Sequence, residues 1–196
     1  MTSPRVVDVG RWEPNASGRL RQAAMELYLE RGFEQTTVAE IAERAGLTAR
    51  TFFRHFADKR EVLFAGSVSL QEHLVGALDG APDSASPMEA IWAALGAAAT
   101  ALGQHRDYSR QRQSVIAANV ELRERELIKM ASLAVALADS LRRRGVADPT
   151  ASLAAEAGVA VLRVAFERWV SEPDDQDLSH VMRESLEELK TLTAGG

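Results

Sequence analysis

The chain has no cysteine, few prolines, no long uninterrupted apolar run and no catalytic motif, and each absence removes a class of protein. Without cysteine there are no disulfides and no thiolate metal sites, which is compatible with a reducing cytoplasm. Six prolines in 196 residues leave room for a mostly helical chain. No stretch approaches the length of a membrane-spanning helix, and the first thirty residues lack the basic start and apolar core of a signal peptide. The expectation is therefore a cytoplasmic protein with no membrane segment. The histidines, His55, His73, His105 and His180, are too far apart for ligand spacing, so no metal and no cofactor is expected. His105-Arg106-Asp107 echoes a kinase catalytic loop, but Arg112 stands where that loop needs asparagine and no glycine-rich phosphate loop precedes it. No hydrolase, zinc-protease or dinucleotide fingerprint is present, and no enzyme activity is expected.

What is present is ordinary globular composition, 46% hydrophobic and 26% charged, enough for a buried core. The net charge of −5 is unevenly spread. Residues 1–65 hold 10 Lys/Arg and 9 Asp/Glu, a balance of +1, which leaves 13 and 19, or −6, for the rest. Binding to phosphate depends on the local face rather than on the total.

The most informative stretch is Thr37 to Phe56. Thr37 with Glu40 forms a capping box that starts a short helix carrying Val38, Ile41, Ala42 and Ala45 at helical spacing. Gly46 supplies the residue that can take positive φ at the helix end. Thr48 caps a second helix with Phe52, Phe53 and Phe56 on its apolar side and Ala49, Arg50, Arg54 and His55 on the other. The pair could be an ordinary αα-hairpin. However, the small Ala42 four before the glycine and the anchoring Phe52 six after it suit the closely crossed pair that places its second helix in DNA. Asp58 and Glu61 read as a further capping box.

From Thr36 to Phe64 the chain resembles the DNA-binding domain of the TetR (tetracycline-repressor) family of bacterial transcriptional regulators. The residues that carry the resemblance are Thr37, Ile41-Ala42, Ala45-Gly46-Leu47-Thr48, Thr51-Phe52-Phe53, His55-Phe56, Lys59 and Val62-Leu63. Phe53 departs from the family's usual tyrosine and Arg50 from its frequent glycine. The resemblance implies a repressor released from a palindromic DNA operator by a small-molecule effector, acting as a homodimer. It assigns DNA contacts to Thr37, Thr48, Ala49, Arg50, Thr51, Phe53, Arg54, His55 and Lys59. Within that set Thr48, Thr51, His55 and Lys59 suit phosphate, and Arg50, with Ala49 nearby, suits base edges. The other class of function is a helical interaction protein whose head no longer binds DNA, for which Phe53, lacking a hydroxyl, is the supporting feature.

The fold expected is all-α with about nine helices. An arm spans residues 1–16, a three-helix DNA-binding head 17–65, and a ligand-binding and dimerisation body 66–196. Arg5, Arg11, Arg19 and Arg21 are arm and first-helix cations within reach of DNA. A long helix from Asp58 to Asp79 is expected to join head and body, with Ser86-Pro87-Met88-Glu89 opening the next helix. Leu122, Leu127, Met130, Leu133, Leu137 and Leu141 mark one face of a long helix that ends in Arg142-Arg143-Arg144, read as a solvated helix end. Asp148-Pro149 is read as the cap of a helix apolar on most sides. That pattern places a subunit interface on Phe166, Trp169, Leu178, Met182, Leu186 and Leu189. Ligand candidates are Trp92, Leu95, Tyr108, Ile116, Met130, Leu133, Phe166 and Trp169, with His105 and Gln113 as the polar groups that would orient an apolar or amphipathic molecule.

Overall fold

The computed structural model of the chain describes residues 15–172 and 176–194; Arg5, Arg11 and most of the expected arm lie outside them. Among the described residues there are nine α-helices, one 3-10 turn and no strand, as expected of an all-α chain. The chain divides into two compact units between Val62 and Leu63.

In the first unit, α1 (Ala16–Arg31), α2 (Val38–Arg44) and α3 (Ala49–His55) pack pairwise around Leu20, Leu27, Phe33, Ile41, Phe52 and Phe56, all buried. Phe33, in the loop after α1, is buried against this core with its ring edge to face on Tyr28. The first helix begins at Asn15, whose side chain accepts from the Gly18 N–H at 3.2 Å.

The second unit departs from expectation at its start. The helix predicted from Asp58 begins only at Ser67: α4 runs Ser67–Asp79, after a 3-10 turn at Glu61–Phe64. Asp58 does cap, its carboxylate accepting from the N–H groups of Arg60 at 2.8 Å and Glu61 at 3.1 Å. That cap starts one tight turn, and Gly66, which has no side chain to cap with, precedes α4.

Five helices follow: α5 (Pro87–Gly103), α6 (Arg106–Ala117), α7 (Val120–Arg143), α8 (Asp148–Ser171) and α9 (Leu178–Ala194). The Ser86/Glu89 capping box forms at α5, with Ser86 N–H on the carboxylate at 2.7 Å and Glu89 N–H on the hydroxyl at 3.3 Å. Alanines 90, 94, 98 and 99 let α5 lie close to α4, α8 and α9. Where α5 meets α8, a Cβ on Gly158 would stand 2.5 Å from Ile91 Cγ2, so only glycine fits. By length and composition α8 could cross a membrane, but ten of its residues are buried within this bundle, as in the core helix of a globular protein.

Further expectations need correcting. The proposed interface residues Trp169, Leu178, Met182 and Leu186 are buried in the body's own core, and Phe166 and Leu189 pack half-buried against it. Apolar surface already used inside one subunit is not available to another. Helix α8 does have an exposed side, part apolar at Leu153, Ala160 and Val164 and part charged at Glu156, Arg163 and Glu167, and Leu127 of α7 is exposed. Asp148 is not a helix cap, because its carboxylate takes the Arg142 guanidinium and α8 has no side-chain cap.

The arginine triplet ties chain segments together rather than lying loose in solvent. Arg142 also pairs with Asp139 at 2.7 Å, and these carboxylates raise its pKa, Asp148 most. Arg143 reaches Asp79 at 3.4 Å, and Arg144 donates to the carbonyls of Ala81 at 3.0 Å and Pro82 at 2.6 Å.

Candidate nucleic-acid interface

The turn between α2 and α3 is set by local chemistry. Thr37 Oγ1 accepts from Glu40 N–H at 3.3 Å while the Glu40 carboxylate accepts from Thr37 N–H at 2.9 Å and from the Thr37 hydroxyl at 2.6 Å. These bonds hold the Glu40 carboxyl below the ordinary glutamate value. At the other end of α2, Leu47 N–H bonds to Ala42 C=O at 2.8 Å and Gly46 N–H to Glu43 C=O at 2.9 Å, the double closure of a Schellman motif. Gly46 sits at φ +65°, which favours glycine; a Cβ there would come 2.8 Å from the Arg19 guanidinium, a flexible group that can move aside. Arg19 itself donates to Ala45 C=O and so serves the helix end that the turn leaves open. This contact bridges 26 positions, and nothing near Arg19 in the sequence signals it.

Thr48 then caps α3, its hydroxyl accepting from Thr51 N–H at 3.2 Å and sharing a further bond with the Thr51 hydroxyl at 3.1 Å. One proton serves that shared bond, which leaves the pair a second hydroxyl proton for an outside acceptor. Phe52 and Phe56 anchor the buried side of α3, while Ala49, Arg50, Phe53, Arg54 and His55 are exposed. Arg50 and Arg54 are one turn apart and share a face. Among the described residues neither enters an ion pair, while Arg31 pairs with Glu40, Arg44 with Glu26 and Glu30, and Arg60 with Asp58. Phe53 is 58% exposed and meets Phe52 edge to face, so the position is apolar at the surface.

Two residues of the predicted set are committed elsewhere. Both donors of Thr37 go to Glu40, leaving none for a phosphate. The Lys59 ammonium donates to the carbonyls of Phe33 at 2.9 Å, Glu34 at 3.3 Å and Thr36 at 3.1 Å, which occupies its three protons.

In the body the predicted ligand residues separate into three groups. Leu95, Ile116, Leu133 and Trp169 are closed into the core. His105 and Tyr108 sit on an open cleft of about 660 Å³ that also includes Arg106, Asp107 and Arg110. Trp92, Met130, Phe166 and Gln113 are half-buried, and Gln113 Oε1 is buried without a hydrogen-bond partner among the described residues. Next to it, Arg112 donates through Nε to Leu63 C=O at 2.8 Å, lies 5.0 Å from the Phe64 ring centroid and pairs with Glu126 at 3.1 Å. Sequence reading missed Arg112, because its partners are 49 and 14 positions away.

Residues 20–65 match the model of bacterial regulatory proteins of the tetR family, and residues 85–194 match the model of the MftR C-terminal domain. TcmR of Streptomyces glaucescens, an HTH-type transcriptional regulator, is 40% identical over 89 residues, which is 45% of this chain but only 38% of that protein. MftR of Mycobacterium tuberculosis, named for transcriptional regulation of mycofactocin biosynthesis, is 27% identical over 85% of this chain and 86% of its own. The structure of FadR from Bacillus subtilis in complex with stearoyl-CoA superposes with a TM-score of 0.61 at 19% identity, covering 88% of this chain and 96% of that one. At that identity the likeness is one of fold.

Proposed function

The chain belongs to the TetR family of DNA-binding bacterial transcriptional regulators, and on that premise we propose that it is a repressor whose α3 reads an operator and whose body takes a small-molecule effector that releases it. The observation that carries the DNA assignment is the exposed Arg50/Arg54 face, unpaired among the described residues, on a helix fixed by a glycine turn. Arg50, with Ala49 leaving room beside it, faces base edges, where a guanidinium can pair bidentately with guanine. Thr48, Thr51 and His55 take phosphates, and Arg54 adds to the positive face. Phe53 offers phosphate no hydroxyl, the one feature that favours a head that has lost DNA binding. A gel shift with genomic fragments separates the two readings. A retarded, competable complex supports the regulator, and no shift with any fragment supports the interaction protein.

The protein works as a cytoplasmic homodimer, since a two-fold axis presents two heads to the halves of a palindrome. The partner surface is the outer side of α8, where Leu153 (72% exposed), Ala160 and Val164 (42%) form an apolar stripe. Glu156 and Arg163 flank it with opposite charges, an arrangement that pairs with itself across a two-fold. Val164→Glu should give a monomer by light scattering; an unchanged dimer would remove α8 from the interface.

For the effector, the half-buried members of the expected set, Gln113, Trp92, Met130 and Phe166, are the candidate contacts. An unpaired buried carbonyl oxygen favours a ligand that brings an N–H or O–H donor to it. Arg112, next along α6, holds the carbonyl of Leu63, the residue that follows the head unit, so a shift of α6 on binding is passed to that junction. A hundredfold preference of effector for the DNA-free form corresponds to about 2.7 kcal/mol, and DNA must weaken effector binding by the same factor. A thermal-shift screen, with acyl-CoA esters in the panel because the FadR structure holds one, is followed by DNA release with the hits. A compound that stabilises the body strongly yet leaves operator affinity unchanged would end this reading of the effector.

A further inference from the structure

The helix-turn-helix enters and leaves through extended backbone, with Thr37 at φ −104°, ψ 157° and Phe56 at φ −137°, ψ 135°. One side chain joins the two ends. Lys59, three residues beyond Phe56, donates to three carbonyls of the loop that leads into α2 (Phe33, Glu34 and Thr36), and its ammonium stands 4.3 Å from the Phe33 ring centroid. Its own carbonyl accepts the Tyr28 hydroxyl of α1 at 2.7 Å, and the Tyr28 ring meets Phe33 edge to face at 5.3 Å. Entry loop, exit segment and first helix therefore converge on one residue. An ammonium has three protons around a single nitrogen and can serve three converging carbonyls. A planar guanidinium can serve several carbonyls, but its donors spread over a fork that does not match three carbonyls converging on one point.

We propose that Lys59 is a positioning residue for DNA reading: it closes the helix-turn-helix into a ring and so fixes the pose in which Arg50 and Arg54 meet DNA. The proposal rests on the DNA-reading function and replaces the phosphate contact first expected of this lysine. A phosphate ligand adds affinity through released counterions, so its loss lowers the salt dependence of binding. A clamp adds affinity through geometry, so its loss leaves that dependence unchanged.

The test uses the full chain carrying Lys59→Met, Lys59→Arg or Tyr28→Phe. Operator affinity is measured across salt concentrations, and amide hydrogen exchange is followed at residues 33–37 and 57–62. Both lysine variants should bind more weakly with an unchanged salt slope. Exchange at both segments should rise about tenfold to a hundredfold, the scale of a lost charge-assisted hydrogen bond. Tyr28→Phe, which changes no charge, should raise exchange at 57–62 and be less than additive with Lys59→Met. A salt slope lower by about 0.9 in Lys59→Met, with native exchange and full rescue by Lys59→Arg, would overturn the proposal in favour of a phosphate contact. Should Lys59→Met fail to fold, native exchange at 57–62 in Tyr28→Phe would overturn it alone. If the wild-type chain binds no fragment, the regulator reading falls, whereas the exchange measurements still decide whether the clamp exists.

Discussion

Head and body use their arginines differently. In the head, Arg31, Arg44 and Arg60 pair with carboxylates, which leaves Arg50 and Arg54 open on α3. In the body several pair with carboxylates too, Arg112 with Glu126 and Arg142 with Asp139 and Asp148, but others serve as remote helix caps, a use the head shows at Arg19. Arg106 donates to Trp169 C=O at 2.7 Å and Glu172 C=O at 2.8 Å, Arg110 to Val170 C=O at 2.9 Å, and Arg144 to the carbonyls that follow α4. The last carbonyls of a helix have no partner within it, and an arginine from another helix can supply one. Charge counted along the chain is thus a poor guide to binding. What matters is the charge left after internal pairing, and on the recognition helix that is Arg50 and Arg54.

The largest effect expected is confined to the body. Trp169 is buried, donates from its indole N–H to Gln176 C=O at 3.0 Å and lies under Arg106. Trp169→Ala should cost about 3–5 kcal/mol of body stability. In urea the two units should then separate into two transitions, with the head's unchanged; a single transition shifted as a whole would show that the units do not unfold independently. Gly46→Ala should destabilise the head by about 1–3 kcal/mol, through its positive φ, and a native melting profile would contradict that account of the turn.

The two capping boxes give a matched pair. Thr37→Ala and Ser86→Ala should each cost about 1 kcal/mol, but only the first should weaken operator binding. Equal binding losses would mean that the difference between the units is not local. The smallest effect expected comes with acid. Glu40 and Glu30 lie below the ordinary 4.5, held by hydrogen bonds from Thr37 and Arg44 respectively, and Asp58 lies below 3.8, held chiefly by Arg60. Carboxyls with lowered folded-state pKa stabilise above their ordinary values and lose that contribution as the pH falls through the lowered ones. The head should therefore weaken progressively as the pH drops below about 4.5, and a head melting temperature that is flat over that range would refute it.

How much could be read from the sequence follows from how far each determinant reaches. Thr37 with Glu40, Gly46 with Leu47, and Thr48 with Thr51 act within a few residues, and the helices and turn they specify form as expected. The capping box at Ser86 was legible for the same reason. The failures depend on distant partners or on local competition. Asp148 pairs back to Arg142 instead of capping, and after Asp58 the chain makes a 3-10 turn at Glu61–Phe64 in place of the expected helix. Lys59 serves carbonyls more than twenty positions upstream. The apolar residues of α8 and α9 read in sequence as a subunit interface, yet most lie in the body's own core and Leu153, Val164 and Leu192 are exposed, because periodicity cannot distinguish a core face from a partner face. For the candidate site, residue types on α3 were legible, whereas which cations stay unpaired needed the neighbouring carboxylates in three dimensions.

The central claim is that the free charge on α3 reads sequence, and it is tested most directly by measuring Arg50→Ala against a panel of single-base operator variants at fixed salt. The account predicts that discrimination of about 1–3 kcal/mol disappears at one base pair in each half-site while the other positions keep theirs. A uniform loss of affinity across every variant would contradict it and make Arg50 a phosphate contact.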